Sequence, residues 1–210
     1  TINIKLQEYG EKLMKNKIGA IVAIEPSSGE ILTLVSSPSY NPNLLVGRKR
    51  SKNYNIISKD KNKPLFNRAI QGTYPPGSTF KLVNGLIALQ EGAITEYQDI
   101  NCKGFNGYSY DKDKYVGCHP HITPLNITTG IEISCNTYFC NIYHKYFKMF
   151  NSNIEAYDNW HKYLTSFGVG HYMNNDFKTG SPGKLPKSSY FEKLYRGSWN
   201  ANTIISMSIG

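Results

Sequence analysis

Several features that would narrow the function are missing from this sequence. No run approaches about 18 consecutive apolar residues, the length of a bilayer-spanning helix, so the chain is not expected to cross a membrane. A signal peptide, an internal repeat and a low-complexity tract are also lacking. The net charge is +9, but no known module pattern for nucleic-acid binding accompanies the basic residues, so no nucleic-acid partner is expected.

The densest basic stretch covers residues 47–63 and reads "GRKRSKNYNIISKDKNK". Asp60 interrupts the run, and we predict a solvated loop on a basic surface. Attraction toward an anionic envelope polymer or an acidic lipid surface is the alternative interpretation.

The chain has enough apolar residues for a packed core. Its 210 residues are 40% hydrophobic, which argues against disorder and allows one domain or two small ones. The sequence starts without Met and stops inside the apolar run "NTIISMSIG". We therefore expect a fragment of a longer protein, whose anchor or export signal lies in the missing part.

Local patterns predict helices and one hairpin. Two β-branched runs flank Pro-Ser-Ser-Gly in "IGAIVAIEPSSGEILTLVSS", which is typical of a hairpin with a short turn. Residues 93–122 and the basic stretch are predicted to be loops. Helices are predicted at 3–16, from about Thr79 to Gln90 with Gly92 closing it, from Leu125 to about Phe150 with a break near Ser134, and at 153–167.

A serine and a lysine three residues apart stand at the start of the second of these helices, in "YPPGSTFKLVNG". Ser78 and Lys81 share one face of the helix, within reach of a hydrogen bond. A serine hydroxyl needs a base to become a nucleophile, and a buried lysine can serve in its neutral form. Free N–H groups at the helix start could stabilise an oxyanion. The structural alternative is an N-cap serine and a lysine that extends to solvent.

The surrounding residues favour the catalytic interpretation. The segment "NRAIQGTYPPGSTFKLVNGLIALQEG" resembles the first active-site motif of the penicillin-binding-protein transpeptidases, whose signature includes Ser-x-x-Lys. The second motif, Ser-x-Asn, is supplied by Ser134 and Asn136 in "ISCNTYFC". The hairpin, "SFGVGHYMNNDFKTG" and "NTIISMSIG" resemble further landmarks of the family. The similarity is strongest to class B enzymes of the elongation type, penicillin-binding protein 2.

This resemblance implies a fold and a reaction. The fold would be α+β, a truncated penicillin-binding transpeptidase (β-lactamase-like) fold in which helices and loops pack on a hairpin of an incomplete antiparallel sheet. Residues 1–210 would be a single partial domain. The reaction would be D,D-transpeptidation of peptidoglycan stem peptides through a serine acyl-enzyme, and β-lactams would acylate the same serine. A serine β-lactamase, a β-lactam-sensing receptor domain and an inert binding module are the alternatives.

The resemblance also implies roles for individual residues and a location for the parent protein. Ser78 would be the acylated nucleophile, Lys81 its base, Ser134 a proton relay to the leaving amine, and Asn136 a ligand of the substrate amide. The parent protein would be anchored on the periplasmic side of the inner membrane and would work with membrane proteins of wall synthesis.

The third motif of the family, Lys-Thr-Gly, has one match at Lys178 to Gly180. Its neighbours are rich in Gly, Pro and Asn, and it precedes "NTIISMSIG", whereas the family's third motif follows the matching segment. We interpret it as a loop and place the true third motif beyond Gly210. The fragment itself is therefore expected to be inactive, although its parent would be an enzyme.

Three of the four cysteines and a histidine suggest a structural metal site. Cys118 and His121 are spaced for chelation from one turn, and Cys102 and Cys135 could complete a tetrahedral zinc site. His119 could replace His121. Some elongation-type members of the family have a metal site in the matching loop. There Cys135 matches a ligand, His121 matches with a one-residue gap, and Cys102 and Cys118 would replace carboxylates.

Two alternatives to zinc remain open. One is a disulfide, for instance between Cys102 and Cys118, since an extracytoplasmic location permits it. The other is a set of buried free thiols, which is the interpretation of Cys140. The remaining histidines have no evident partners and are interpreted as surface or core residues: His144, His161 and His171.

Overall fold

The computed structural model of the chain describes residues 2–172 and 179–210. These residues form two compact units, one of residues 2–73, 172 and 179–183, and one of residues 74–171 and 184–210. Within the described ranges, none of the helices combines the length and the apolar character needed to cross a bilayer.

The first unit contains the predicted hairpin and the N-terminal helix. Its elements are α1 (Ile4–Leu13), β1 (Gly19–Ile24), β2 (Ile31–Ser37), α2 (Arg50–Ser58) and α3 (Arg68–Gln71). Strands β1 and β2 pair antiparallel, so the hairpin prediction is confirmed. The Gln7 side chain joins α1 to β2, because its Oε1 accepts from the Leu34 N–H at 2.8 Å and from the Thr33 hydroxyl at 2.7 Å.

The basic stretch is not a plain loop, and that prediction is wrong for its middle part. Residues Arg50–Ser58 form α2, whose Ile57 side chain is buried. Asn53 donates from Nδ2 to the Leu44 carbonyl at 2.7 Å, which ties the helix to the preceding 3-10 turn. Burial of one isoleucine and one tertiary hydrogen bond therefore stabilise a helix whose sequence pattern alone is weakly amphipathic.

The second unit is mainly helical. Its elements are α4 (Phe80–Gln90), β3 (Tyr108–Asp111), β4 (Lys114–Val116), α5 (Ile127–Glu132), α6 (Asn136–Phe147), α7 (Asn153–Ser166) and α8 (Ser188–Tyr195). The predicted helices at 79–90 and 153–167 and the break near Ser134 are confirmed. The predicted loop at 93–122 holds the short antiparallel pair of β3 and β4, which the sequence analysis missed.

Helix α6 lies at the centre of this unit. Cys140 and Ile142 are fully buried on different sides of it, and Tyr143 packs against Trp160 of α7. A helix that is apolar on most of its surface must be buried by its neighbours. The packing of α6 therefore fixes the position of its N-terminus, where Ser134 and Asn136 lie.

The helices and small antiparallel sheets confirm the predicted α+β class. Of the Lys-Thr-Gly segment, Lys178 lies outside the described residues. Thr179 and Gly180 belong to neither helix nor strand, as expected of a loop. The Gly180 N–H donates to the Tyr172 hydroxyl at 2.6 Å.

Candidate active site

Ser78 lies in a 3-10 turn, Gly77–Thr79, that leads directly into α4. Gly77 has a φ of +62°, a conformation that glycine adopts without steric cost. The Thr79 hydroxyl donates to the Pro76 carbonyl at 2.8 Å and closes the turn. Ser78 is exposed, and its hydroxyl has no hydrogen-bond partner within residues 2–172 and 179–210. A hydroxyl in this position is accessible to a ligand.

Lys81, in the first turn of α4, is only 2% exposed. Its Nζ donates to the Ser134 carbonyl at 2.7 Å, to the Ser134 Oγ at 3.0 Å and to the Asn136 Oδ1 at 2.7 Å. Burial lowers the pKa of Lys81, and the neighbouring Cys135 thiol opposes this shift. The amine is thus held by both residues of the second motif. Its surroundings make the neutral form easier to reach than it is for an ordinary exposed lysine.

The turn that carries Ser134 joins α5 to α6. Ser134 has a φ of +54°, a left-handed conformation that costs a residue with a side chain about 1–3 kcal/mol. Cys135 is the N-cap of α6, and its Sγ accepts from the Tyr138 N–H at 3.3 Å. Asn136 donates from Nδ2 to the Gly117 carbonyl at 2.9 Å, which leaves its Oδ1 for Lys81. These contacts hold the strained turn and orient its side chains toward the amine.

A cysteine and histidine cluster lies next to this turn. The ligand atoms of Cys102, Cys118, His121 and Cys135 all lie within 4.8 Å of one another. All four cysteines of the chain are free thiols, so the structure does not form the alternative disulfide. The predicted set of four residues is therefore brought together, although its members are up to 33 positions apart in the sequence.

The distances from the Cys118 sulfur to two other members of the cluster fit a tetrahedral zinc ion. With Zn–S bonds of about 2.3 Å and Zn–N bonds of about 2.0–2.1 Å, two sulfurs lie about 3.8 Å apart and sulfur and nitrogen about 3.5 Å apart. The Cys118 and Cys135 sulfurs are 3.7 Å apart, and the Cys118 sulfur is 3.5 Å from His121 Nε2. Three thiolates and an imidazole also match the ligand preference of zinc.

The protonation of the cluster is consistent with metal ligation at two of its members. His121 uses Nδ1 to bond the Ile122 carbonyl at 2.9 Å, so Nε2 faces Cys118. Burial raises the pKa of the Cys118 thiol, but hydrogen bonds from the Thr137 backbone N–H and from His121 outweigh it and bring the pKa to about 6. Burial raises the pKa of Cys135 to about 12, so this thiol would need a metal to ionise at neutral pH.

His119 and Cys140, which the sequence also offered as an alternative ligand and a free thiol, are not among the four clustered residues. His119 contacts the His121 ring, with centroids 5.2 Å apart. Cys140 is fully buried on α6, as the prediction of a buried free thiol requires, and its Sγ lies 3.2 Å from the Ser208 Oγ.

Sequence reasoning missed two polar groups in this unit. His144 does have partners: its Nδ1 contacts the Tyr108 hydroxyl and lies 3.1 Å from the Asn202 Oδ1. Asn84 is buried on α4, and each polar atom of its amide is hydrogen-bonded. No sequence signal points to either group, because their partners are 36 or more positions away.

A family model described as the penicillin binding protein transpeptidase domain matches residues 19–210. The curated peptidoglycan D,D-transpeptidase MrdA of Escherichia coli strain K12 is 33% identical over 214 aligned residues, which cover 100% of this chain. The chain spans only 32% of the length of that relative.

Solved structures give the same result. Penicillin-binding protein PBP2 from Helicobacter pylori superposes with a TM-score of 0.83 and 26% identity, over 100% of this chain and 38% of that one. Penicillin-binding protein A from M. tuberculosis, solved as an imipenem acyl-enzyme complex, gives 0.72 and 27%, over 100% of this chain and 46% of that one. Both comparisons agree with the fold that the two motifs predict.

Proposed function

The chain belongs to the penicillin-binding protein transpeptidase family, and from this premise we propose that its parent protein is an elongation-type peptidoglycan D,D-transpeptidase. One observation carries the proposal. The buried amine of Lys81 bonds both Ser134 and Asn136, and Lys81 lies three positions after the exposed Ser78, whose turn leads directly into α4. Nucleophile, base and relay of an acyl-transfer site are therefore available within one small region.

In the proposed reaction, the Ser78 Oγ attacks the carbonyl of the penultimate D-Ala of a stem peptide, and its proton passes to the neutral Lys81 amine. The backbone N–H of Ser78 supplies one donor to the oxyanion. The C–N bond to the terminal D-Ala then breaks, and the leaving amine takes a proton through the Ser134 hydroxyl. An amine of a second stem peptide then attacks the acyl-enzyme carbonyl, and the C–O bond to Ser78 breaks as the cross-link forms. The proton that this amine loses returns to the Ser78 Oγ through Lys81.

The geometry gives the amine a suitable set of contacts for this role. A neutral amine keeps two N–H donors, enough for the Ser134 carbonyl and the Asn136 Oδ1, the two shortest of its contacts. The lone pair of the amine then remains free to accept the proton of the Ser78 hydroxyl. Asn136 would also orient the substrate amide once the ligand is bound.

The proposed activity is tested by labelling the full-length protein with a fluorescent penicillin. We expect covalent labelling of the wild type and none of Ser78→Ala, with the same melting temperature for both. Product that forms only with an added acceptor amine distinguishes a transpeptidase from a sensor, and hydrolysis of the penicillin in many turnovers would instead indicate a β-lactamase. Equal labelling of Ser78→Ala would refute the assignment of the nucleophile.

We also propose that Cys102, Cys118, His121 and Cys135 hold a structural zinc ion. Four protein ligands leave no open position, so the ion would stabilise the fold and take no part in acyl transfer. Cys135 stands between Ser134 and Asn136 in the sequence. Ligation at Cys135 would therefore hold the strained turn against the Lys81 amine.

Metal content tests this part of the proposal. We expect one zinc per chain after dialysis, a large loss of zinc in His121→Ala, and full zinc in the matched control His119→Ala. Thiol counting on the unfolded protein should return four free cysteines. Absence of zinc from the wild type, or loss of thiols to a disulfide, would contradict the site.

The remaining proposals concern the whole protein. Residues 1–210 would form part of one transpeptidase domain, and the parent would be anchored with this domain on the periplasmic side of the inner membrane, beside other membrane proteins of wall synthesis. A fusion of the full-length protein to a reporter that is active only outside the cytoplasm tests the location. An inactive reporter in cells that express the full-length fusion would contradict it.

A further inference from the structure

A buried asparagine lies one helical turn beyond the lysine, and the site already described does not use it. Asn84 is 4% exposed and donates from Nδ2 to the Met207 carbonyl at 2.9 Å and to the Ser208 carbonyl at 3.0 Å. Its Oδ1 accepts from Trp160 Nε1 at 2.8 Å. Both N–H donors and the carbonyl oxygen of the amide are therefore paired.

The three partners also define the orientation of the amide. An indole N–H can only donate, so the oxygen of Asn84 must face Trp160. The nitrogen then faces the two carbonyls of residues 207 and 208, which can only accept. In a flipped amide, the NH₂ group would face the indole N–H, and the amide oxygen would face the two carbonyl oxygens. The side chain thus has one favourable arrangement, and in it α4 is tied to the 3-10 turn Ile205–Ser208.

The residues that follow this turn reach the nucleophile. The Gly210 carbonyl accepts from the Gly77 N–H at 3.2 Å, next to Ser78. Gly210 has a φ of +89°, and a Cβ at this position would lie 2.2 Å from the Gly77 carbonyl oxygen. The two backbones can therefore approach this closely only because residue 210 is glycine.

These contacts form a closed connection. Ser78 precedes α4, Asn84 ties α4 to residues 207–208, and Gly210 returns to the turn that carries Ser78. The fully buried Ser208 strengthens the connection, because its hydroxyl donates to the Ile205 carbonyl at 2.6 Å. We propose that Asn84 is a positioning residue, which holds the Ser78 turn in its reactive position through residues 207–210.

The inference rests on the proposed acylation of Ser78, and Asn84→Asp in the full-length protein tests it. The aspartate keeps the shape and the acceptor for Trp160 but loses both donors and faces two carbonyl oxygens. We expect the first-order acylation rate at saturating penicillin to fall about 10- to 100-fold, the loss that a misplaced reacting group produces. The non-covalent dissociation constant of penicillin should change less than the rate, because Asn84 does not face the ligand.

Two further variants separate positioning from general destabilisation. Trp160→Phe lowers stability but leaves both Nδ2 donors in place, so it should keep a near-normal acylation rate at a temperature where it is folded. Gly210→Ala breaks the other end of the connection and should reduce the rate in the same way as Asn84→Asp. Because both act on one connection, the double variant should lose little more than either single variant, whereas fully additive losses would contradict the proposal.

Hydrogen exchange of the backbone around Gly77 gives a readout that does not need acylation. Exchange in this segment should be faster in Asn84→Asp than in the wild type and in Trp160→Phe. If the wild type is acylated and Asn84→Asp reacts at the same rate, the positioning role is refuted and the proposed function stands. If the wild type is not acylated, the proposed function fails, and unchanged exchange near Gly77 then also refutes the connection.

Discussion

Replacing Lys81 by methionine separates its chemical role from its structural one. Methionine has a similar length and shape but no amine, so the substitution keeps a side chain of similar volume beside Phe139. It removes three hydrogen bonds and the contact of the Nζ with the Phe139 ring. The expected results are a nearly intact fold and a large loss of acylation.

The size of each effect follows from the contacts. Without the amine, the Ser134 carbonyl and the Asn136 Oδ1 are left unpaired, at a cost of about 1–3 kcal/mol for each one that water cannot reach. Removal of the cost of burying an amine offsets part of this loss. We expect the free energy of unfolding to change by no more than about 2 kcal/mol. Loss of a general base lowers the rate about 10²- to 10⁴-fold, or about 3–5 kcal/mol in activation free energy.

Stopped-flow acylation by a fluorescent penicillin measures the rate, and urea denaturation of the same preparations measures stability. The exposed Lys52 of α2 provides the control, since Lys52→Met removes a lysine of the first unit and should change neither quantity. Acylation of Lys81→Met within tenfold of the wild-type rate would refute the role of the amine as base. A complete loss of folding would refute the reasoning about packing.

Two further predictions concern groups that burial perturbs. Burial lowers the pKa of Lys81, and the neutral amine is the reactive form. The acylation rate should therefore rise with pH, with a midpoint below the ordinary lysine pKa of 10.5. A midpoint at or above that value would contradict the assignment of Lys81 as the base. The Tyr143 hydroxyl is buried without a hydrogen-bond partner in the described ranges. Tyr143→Phe should therefore leave the free energy of unfolding unchanged or raise it by up to about 1 kcal/mol. A clear loss of stability in urea denaturation would show that the hydroxyl has a partner.

The parts of the site that depend on short-range geometry could be predicted from the sequence. Cys118 and His121 are three residues apart, and the contact of the Cys118 sulfur with His121 Nε2 at 3.5 Å follows from that spacing. The spacing of Ser78 and Lys81 places the lysine just after the turn that carries the serine, but the two side chains form no hydrogen bond in the described residues, because the amine bonds Ser134 and Asn136. The grouping of these pairs with Ser134, Asn136, Cys102 and Cys135 came from the family resemblance and from ligand chemistry. The left-handed conformation of Ser134 was not predicted, because nothing in its local sequence requires it.

Other features depend on tertiary contacts and could not be predicted. Helix α2 forms in a basic stretch because Ile57 is buried and Asn53 donates to the Leu44 carbonyl, nine positions earlier in the chain. The contact of His144 with Tyr108 exists because β3 packs against α6, and the β3 pattern is too short to be recognised. Asn84 resembles any polar residue on a helix until the turn at 205–208 packs against it.

The central claim is that Ser78 is the residue that becomes acylated. Tandem mass spectrometry of the full-length protein after reaction with penicillin locates the modification directly. We expect one penicilloyl adduct per chain, on Ser78, and no adduct in Ser78→Ala. An adduct on another residue of the wild type, or a chain that remains unmodified at saturating penicillin, would contradict it.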